Sequence, residues 1–196
     1  MLFTEIDFII FFVIVLAIIS AIKYRKFQHV FLLTASYFFF YYSSNYLITL
    51  LIASTILDFY IGKAIWSSTN ITKKKILLSV SLAGNLGLLG FFKYADFAVT
   101  QFNLFGNHFN LTSQIPLLEL ALPIGISFYT FQTISYTVDI YRGHLTPSKT
   151  LKEFALFVAF FPQLVAGPIV RAKDFLPQLR EKIDKFETGT KIRQII

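Results

Sequence analysis

The 196-residue sequence has no cysteine, one tryptophan and one methionine, and only 15% of its residues are charged. Without cysteine it has no disulfide, no thioester-forming nucleophile and no thiolate ligand for a metal. Soluble domains carry about 25% charged residues, so the scarcity of charge argues against one. What fills the chain instead is 55% hydrophobic residues, including 24 Phe and 10 Tyr, with a mean hydropathy of +0.62. A soluble domain of this length has too large a surface for its volume to hide so much apolar area. Lipid can cover it, and aromatic rings suit both acyl chains and the membrane interface.

Histidine is also scarce. His29, His108 and His144 fall in loops or at the ends of apolar runs, and no two of them have metal-ligand spacing. No metal or bound cofactor is expected. Ser127 lies in Gly125-Ile126-Ser127-Phe128-Tyr129, where a nucleophile elbow requires glycine at position 129, so a serine hydrolase is disfavoured. The net charge of +7 does not point to nucleic acid, because the basic residues sit in short stretches between apolar runs and form no continuous basic face.

The apolar runs predict an all-α, polytopic transmembrane protein. A crossing takes about 20 apolar residues, and five are expected at residues 3–24, 27–42, 46–66, 76–92 and 118–141. The polar cluster Ser43-Ser44-Asn45 separates the second from the third. Within and around the first crossing, Glu5 and Asp7 precede the uncharged stretch 8–22 while Lys23, Arg25 and Lys26 follow it, the reverse of a cleavable leader. Every basic residue except Lys93 then falls on one side of the membrane. By the positive-inside rule that side is cytoplasmic and the N-terminus is outside.

A sixth apolar segment, residues 154–170, is flanked by basic residues at both ends and interrupted by Pro162, Gly167 and Pro168. Proline removes a backbone donor, and broken backbone at membrane depth is tolerated only where protein or water lines it. A re-entrant hairpin leaving by the face it entered is expected, with a Pro-kinked sixth crossing as the alternative. Residues 174–186 carry Phe175, Leu176, Leu179, Ile183 and Phe186 at helical spacing, the pattern of an interfacial amphipathic helix within 171–196. The last residues, Lys191 to Ile196, resemble the first turns of another apolar helix, so the chain is expected to be a fragment of one larger membrane domain.

Ionisable residues inside apolar runs are functional candidates, since each costs about 2.5–3.5 kcal/mol on insertion scales. Asp58 is one; it either serves function or pairs with Lys63 or the interface. Asp139 and Arg142, three residues apart beside Tyr136 and Tyr141, either pair to anchor a helix end or serve a substrate. Ala83, Gly84, Gly87 and Gly90 give the fourth run a small-residue face suited to helix packing.

Two stretches exceed generic membrane patterning. Leu122-Pro123-Ile124-Gly125-Ile126-Ser127-Phe128-Tyr129-Thr130-Phe131-Gln132, with Ser135 to Gly143 beyond it, and Phe160-Phe161-Pro162-Gln163-Leu164-Val165-Ala166-Gly167-Pro168-Ile169-Val170-Arg171 resemble the signatures of bacterial alginate O-acetyltransferases. The segments at residues 35–41 and 90–97 fit the same group, the membrane-bound O-acyltransferases, which include the D-alanyl transferases of teichoic acid.

The resemblance implies a many-helix body enclosing a tunnel, in a bacterial cytoplasmic membrane. An acyl donor, acyl-CoA or an acyl carrier protein, would serve as co-substrate on the cytoplasmic side. The acyl group would pass to a polysaccharide hydroxyl or to an extracytoplasmic relay protein. The family's catalytic base is a histidine in a later membrane helix, and none of the three histidines here matches it. The chain is therefore expected to hold no catalytic residue. Pro123, Gly125, Tyr136, Asp139, Arg142, Pro162, Gly167, Pro168 and Arg171 are expected to frame the tunnel wall and its cytoplasmic mouth. A transporter or channel, which also uses broken helices, and a non-catalytic membrane scaffold are the competing classes.

Overall fold

The computed structural model describes residues 6–108, 115–120, 122–123, 125–166 and 170–180. Among them there are helices and no strands: α1 (Ile6–Ala21), α2 (Arg25–Ser44), a 3-10 turn (Asn45–Leu47), α3 (Ile48–Ser67), α4 (Ile71–His108), α5 (Ile126–Tyr141), α6 (Leu151–Ala159), α7 (Phe161–Ala166) and α8 (Ala172–Arg180).

The polar cluster at 43–45 does end a helix. Asn45 adopts φ 51° and ψ −132°, a positive-φ conformation outside the helical region that turns the chain, and its N–H bonds back to the Tyr41 carbonyl. Two helical stretches are long and apolar enough to cross a membrane, Phe27–Ser67 through that turn and Ile71–Gly106, with Ile6–Ala21 shorter.

Two expected boundaries move. The sequence pattern ends the fourth run at 92 and puts Lys93 in an outer loop, yet α4 continues through Lys93 to His108. Its 38 residues make a rod of about 57 Å at 1.5 Å per residue, well beyond the roughly 30 Å of hydrocarbon. Nothing from Phe91 to Phe97 opposes a helix, and one lysine does not interrupt it. The far half of α4 secures the returning chain. Asn103 Nδ2 donates to the Ile115 carbonyl at 2.7 Å, and the Ile115 N–H donates to Asn103 Oδ1 at 2.9 Å. The Leu118 N–H donates to Asp96 Oδ1 at 2.7 Å.

The second correction concerns the fifth run, which the pattern makes helical from 118. Residues 115–120 are not helical, and α5 starts only at Ile126. Gly125 takes φ 73°, which glycine reaches without a Cβ penalty, and buried Pro123 precedes it. The Pro123 and Gly125 carbonyls then accept the first N–H groups of α5, from Ile126 at 3.3 Å and Tyr129 at 3.0 Å.

The core is built around α3. Leu51, Phe59, Ile61 and Ile65 pack with Tyr136 and Ile140 of α5 and with Phe154 and Phe157 of α6. Gly62 permits the closest approach: a Cβ there would meet Tyr136 Cε1 at 2.8 Å and Ile140 Cδ1 at 2.9 Å. The expected small face of α4 is only partly used. A Cβ on Gly84 would meet Leu57 Cδ2 at 3.2 Å, but Gly87 and Gly90 face open space.

Thr150 caps α6, accepting the Glu153 N–H at 3.2 Å, as the Thr-x-x-Glu spacing favours. Phe154 through Ala159 are then all buried, against α2 and α3. The helix breaks at Phe160 (ψ 103°), because continuing it would put Pro162 in a helix interior, where it has no N–H for the Val158 carbonyl and its ring would clash there. After the break Pro162 sits instead in the first turn of α7, where no such N–H is needed. Beyond the break Phe161 enters an aromatic cluster with Phe11, Phe12 and Phe39, its ring 5.2 Å from that of Phe11. Helix α8 packs back on α5 and α6. Phe175 lies 5.5 Å from Phe157 and 5.4 Å from Phe160, ring to ring, and Ala172 and Leu176 are buried. The apolar residues expected to face the membrane interface thus meet protein in the described part of that segment. Its remainder, with Ile183, Phe186 and the last apolar turns, lies outside the described residues.

Candidate functional site

Two buried polar constellations stand out. The first joins three helices. Asp58 of α3 is fully buried; Ser81 Oγ donates to its Oδ1 at 2.6 Å, and Asn85 Nδ2 donates to its Oδ2 at 2.7 Å. Thr133 of α5 donates to Asn85 Oδ1 at 3.2 Å, and Thr137 Oγ1 lies 3.1 Å from Ser81 Oγ. Asp58 does not pair with Lys63, whose ammonium instead sits 4.3 Å over the Phe59 ring. Each carboxylate oxygen meets a neutral donor, the arrangement a buried acid needs when no cation is at hand.

The second constellation surrounds the break between α6 and α7. Gln132 Nε2 of α5 donates to the Phe157 carbonyl at 3.2 Å. The Phe161 N–H donates to the hydroxyl of Ser36, a fully buried residue of α2, at 3.3 Å. Backbone groups released where the helix stops are thereby satisfied by two other helices, which is the condition for irregular backbone in an apolar environment.

The two sequence signatures, separate along the chain, meet here. Tyr136 of the first is fully buried, with its ring centre 4.2 Å from that of Phe154 in α6, and its hydroxyl accepts the Ser148 N–H at 3.0 Å. Pro123 and Gly125 set the start of α5, and Pro162 sits in α7 just past the break. Asp139 and Arg142 do not pair. Arg142 is exposed at the helix end, while Asp139 is buried with Oδ2 lacking a hydrogen-bond partner. Arg171 is exposed immediately before α8. Gly167 and Pro168 lie outside the described residues.

Two clefts open nearby. One, of about 350 Å³, is lined by Lys63, Trp66, Thr146, Pro147, Ser148 and Lys149. The other, of about 270 Å³, is largely apolar and lies among α2, α3 and the start of α6, with Lys152 on its wall. No group of three His, Cys, Asp or Glu among the described residues could hold a metal.

The sequence is 37% identical over 171 residues to a Pseudomonas putida protein named alginate O-acetylase AlgI, covering 84% of this chain and 35% of that one. It is 35% identical over 195 residues to the protein of the same name in Pseudomonas aeruginosa, covering 96% and 37%. A Helicobacter pylori protein named peptidoglycan O-acetyltransferase is 33% identical over 161 residues, covering 70% and 30%. Over most of its length the chain is similar to proteins named as O-acetylases or O-acetyltransferases. It spans about a third of the length of the curated relatives it matches. No family model matches it, and no solved structure matches it significantly.

In this chain the residues that sequence reasoning passes over are the ones that join helices. Ser81 and Asn85, and likewise Thr133 and Thr137, are polar pairs four apart in apolar helices, so each pair shares one face. That spacing is the available signal. Gly62, Ser36 and Gln132 give none, because their importance comes from the helix opposite. The hydrogen bonds of the two described constellations join side chains and backbone of different helices and so hold those helices in place.

Proposed function

We propose that the chain is the N-terminal part of a membrane O-acyltransferase that transfers an acyl group, acetyl in the first instance, to hydroxyls of an exported polysaccharide or to a relay protein outside the membrane. Similarity along nearly the whole chain to proteins named as O-acetylases carries this reading. Acyl-CoA or an acyl carrier protein serves as donor on the cytoplasmic side, and the catalytic base comes from residues beyond this chain.

In this reading the protein lies in the bacterial cytoplasmic membrane with its N-terminus outside and five crossings, supplied by α1, α2, α3, α4 and α5 with the segment leading into it. Helices α6 and α7 form a re-entrant unit. The nine residues of α6 extend only about 13 Å, less than half the hydrocarbon thickness. Packing of α8 against α5 and α6 supports a chain that returns by the face it entered. Pro123, Gly125, Tyr136, Asp139, Arg142, Pro162, Gly167, Pro168 and Arg171 frame the wall and mouth of the acyl path.

The test is genetic and chemical. Deleting the gene should remove ester-linked acetyl from the exported polysaccharide, measured by proton NMR, and the full-length gene should restore it. Unchanged acetyl content in the deletion strain overturns the proposal. In the restored strain, replacing Gly167 by a bulky residue should lower acetylation while the protein stays in the membrane.

A further inference from the structure

The cleft between the last turns of α3 and the loop joining α5 to α6 has a one-sided chemistry. Lys63 and Lys149 line it with Trp66, Thr146, Pro147 and Ser148, and among the described residues no carboxylate does. Among the described residues neither lysine has an ion pair, and the Lys63 ammonium is held over the Phe59 ring without a counter-charge. The Thr146 hydroxyl makes no hydrogen bond among the described residues, and Trp66, half exposed, presents an indole ring and its N–H donor. The wall is firm: the Ser148 N–H is tied to the Tyr136 hydroxyl at 3.0 Å and the Ser148 hydroxyl to the Thr150 carbonyl at 3.3 Å.

Topology alone would place lysines on this side of the membrane, but it does not require two of them to line one concavity together with a threonine hydroxyl and an indole. We propose that this cleft binds an organic phosphate: the two ammonium groups take the phosphate oxygens, Thr146 donates to the same group, and Trp66 covers the attached organic moiety. Its volume of about 350 Å³ falls at the lower end of small-molecule sites, roughly 300–1,000 Å³. That is room for a headgroup or the phosphate-bearing end of a larger molecule. The ligand is either the headgroup of an anionic phospholipid or a soluble phosphate-bearing thioester donor. The cleft itself goes beyond the acyltransferase reading, and only the second source rests on it.

Two probes separate the sources in the purified full-length protein. Coenzyme A binding is followed by calorimetry in detergent, and retention of phosphatidylglycerol against phosphatidylcholine by native mass spectrometry from mixed nanodiscs. Lys63→Gln with Lys149→Gln should weaken whichever probe binds by about tenfold per lysine, as expected for charge-assisted bonds. Thr146→Val should weaken it less, and Lys73→Gln with Lys75→Gln, which remove equal charge from the start of α4, should leave it unchanged. Loss of coenzyme A binding identifies the soluble donor; loss of phosphatidylglycerol retention identifies the lipid. Circular dichroism melting confirms that the variants fold, and Thr146→Val removes a hydroxyl with least risk to folding. The proposal is overturned if neither probe binds, or if the Lys63 and Lys149 changes act no more strongly than those at Lys73 and Lys75. Acetylation persisting alongside such a negative result would sink the cleft and spare the enzyme.

Discussion

The hydroxyl of Ser81 reaches across from α4 to bond Asp58 Oδ1 of α3 at 2.6 Å, inside an otherwise apolar bundle. With the Asn85 amide on the other oxygen, the acid acts as a clamp between helices. Asp58→Ala removes the shared acceptor, but Ser81 Oγ can still turn to Thr137 Oγ1 at 3.1 Å and Asn85 Nδ2 keeps the Ser81 carbonyl at 2.9 Å. Each lost bond therefore costs no more than the roughly 1–3 kcal/mol of an unmade buried hydrogen bond. Interhelical hydrogen bonds in membranes average only about 0.6 kcal/mol, so the expected loss is nearer the lower bound. Asp58→Asn keeps both contacts, since the new amide accepts from Asn85 and donates to the Ser81 oxygen. Melting in detergent should therefore place Asn close to the native protein and Ala well below it. Equal melting temperatures for the two would refute the clamp.

Gly62 sets the spacing between α3 and α5. A methyl there would approach Tyr136 Cε1 to 2.8 Å and Ile140 Cδ1 to 2.9 Å, both on buried side chains of the core. Gly62→Ala should destabilise by about 1–3 kcal/mol, the usual range for overpacking. Gly87→Ala, where nothing lies within 4 Å, should be neutral or gain up to about 1 kcal/mol from helix propensity. Chemical denaturation in mixed micelles compares the pair directly, and the contrast fails if Gly62→Ala is as stable as Gly87→Ala.

What the sequence discloses follows from where the physical signal is local. Ser43-Ser44-Asn45 interrupt an apolar run, and α2 ends there. Pro162 marks a break that the backbone does make. The misplaced boundaries come from ambiguous local signals. Lys93 reads as a loop charge although its neighbours are all compatible with a helix, and apolar residues 118–122 read as helix although Pro123 and Gly125 follow. The clamp around Asp58 is half legible: the acid stands out, but its partners are ordinary polar residues until α3, α4 and α5 come together. The anticipated pairs, Asp58 with Lys63 and Asp139 with Arg142, rest on sequence proximity. In the first the chosen contacts come from other helices, and in the second Arg142 lies exposed at the helix end.

The break between α6 and α7 should depend on its two remote supports. Ser36→Ala removes the acceptor of the Phe161 N–H, and Gln132→Leu removes the donor to the Phe157 carbonyl. Each exposes a buried backbone group at a cost of about 1–3 kcal/mol. Because both act on one short segment, their effects should be less than additive in a double-mutant cycle. Hydrogen exchange should rise in α6 and α7 before it rises in α3. Strict additivity, with no local change in exchange, would mean the two side chains are incidental to the break.

The proposed topology yields a labelling experiment made easier by the absence of cysteine from this chain. In a cysteine-free full-length background, Tyr46→Cys lies at the turn between α2 and α3, where the native side chain is 67% exposed. Thr69→Cys lies between α3 and α4 among lysines, and Phe102→Cys lies near the far end of α4. If α3 and α4 both cross, positions 46 and 102 share a face and 69 takes the opposite one. An impermeant maleimide applied to intact cells should modify the thiol introduced at position 46 or at position 102. It should reach the thiol at position 69 only after permeabilisation. Asn103 and Asp96 hold the chain returning toward α5, so that segment should share the face of position 102 and carry α5 back across. Labelling at position 69 in intact cells, with position 46 protected, would invert the orientation. It would also move the lysine-lined cleft beside Trp66 to the outside, away from any cytoplasmic donor.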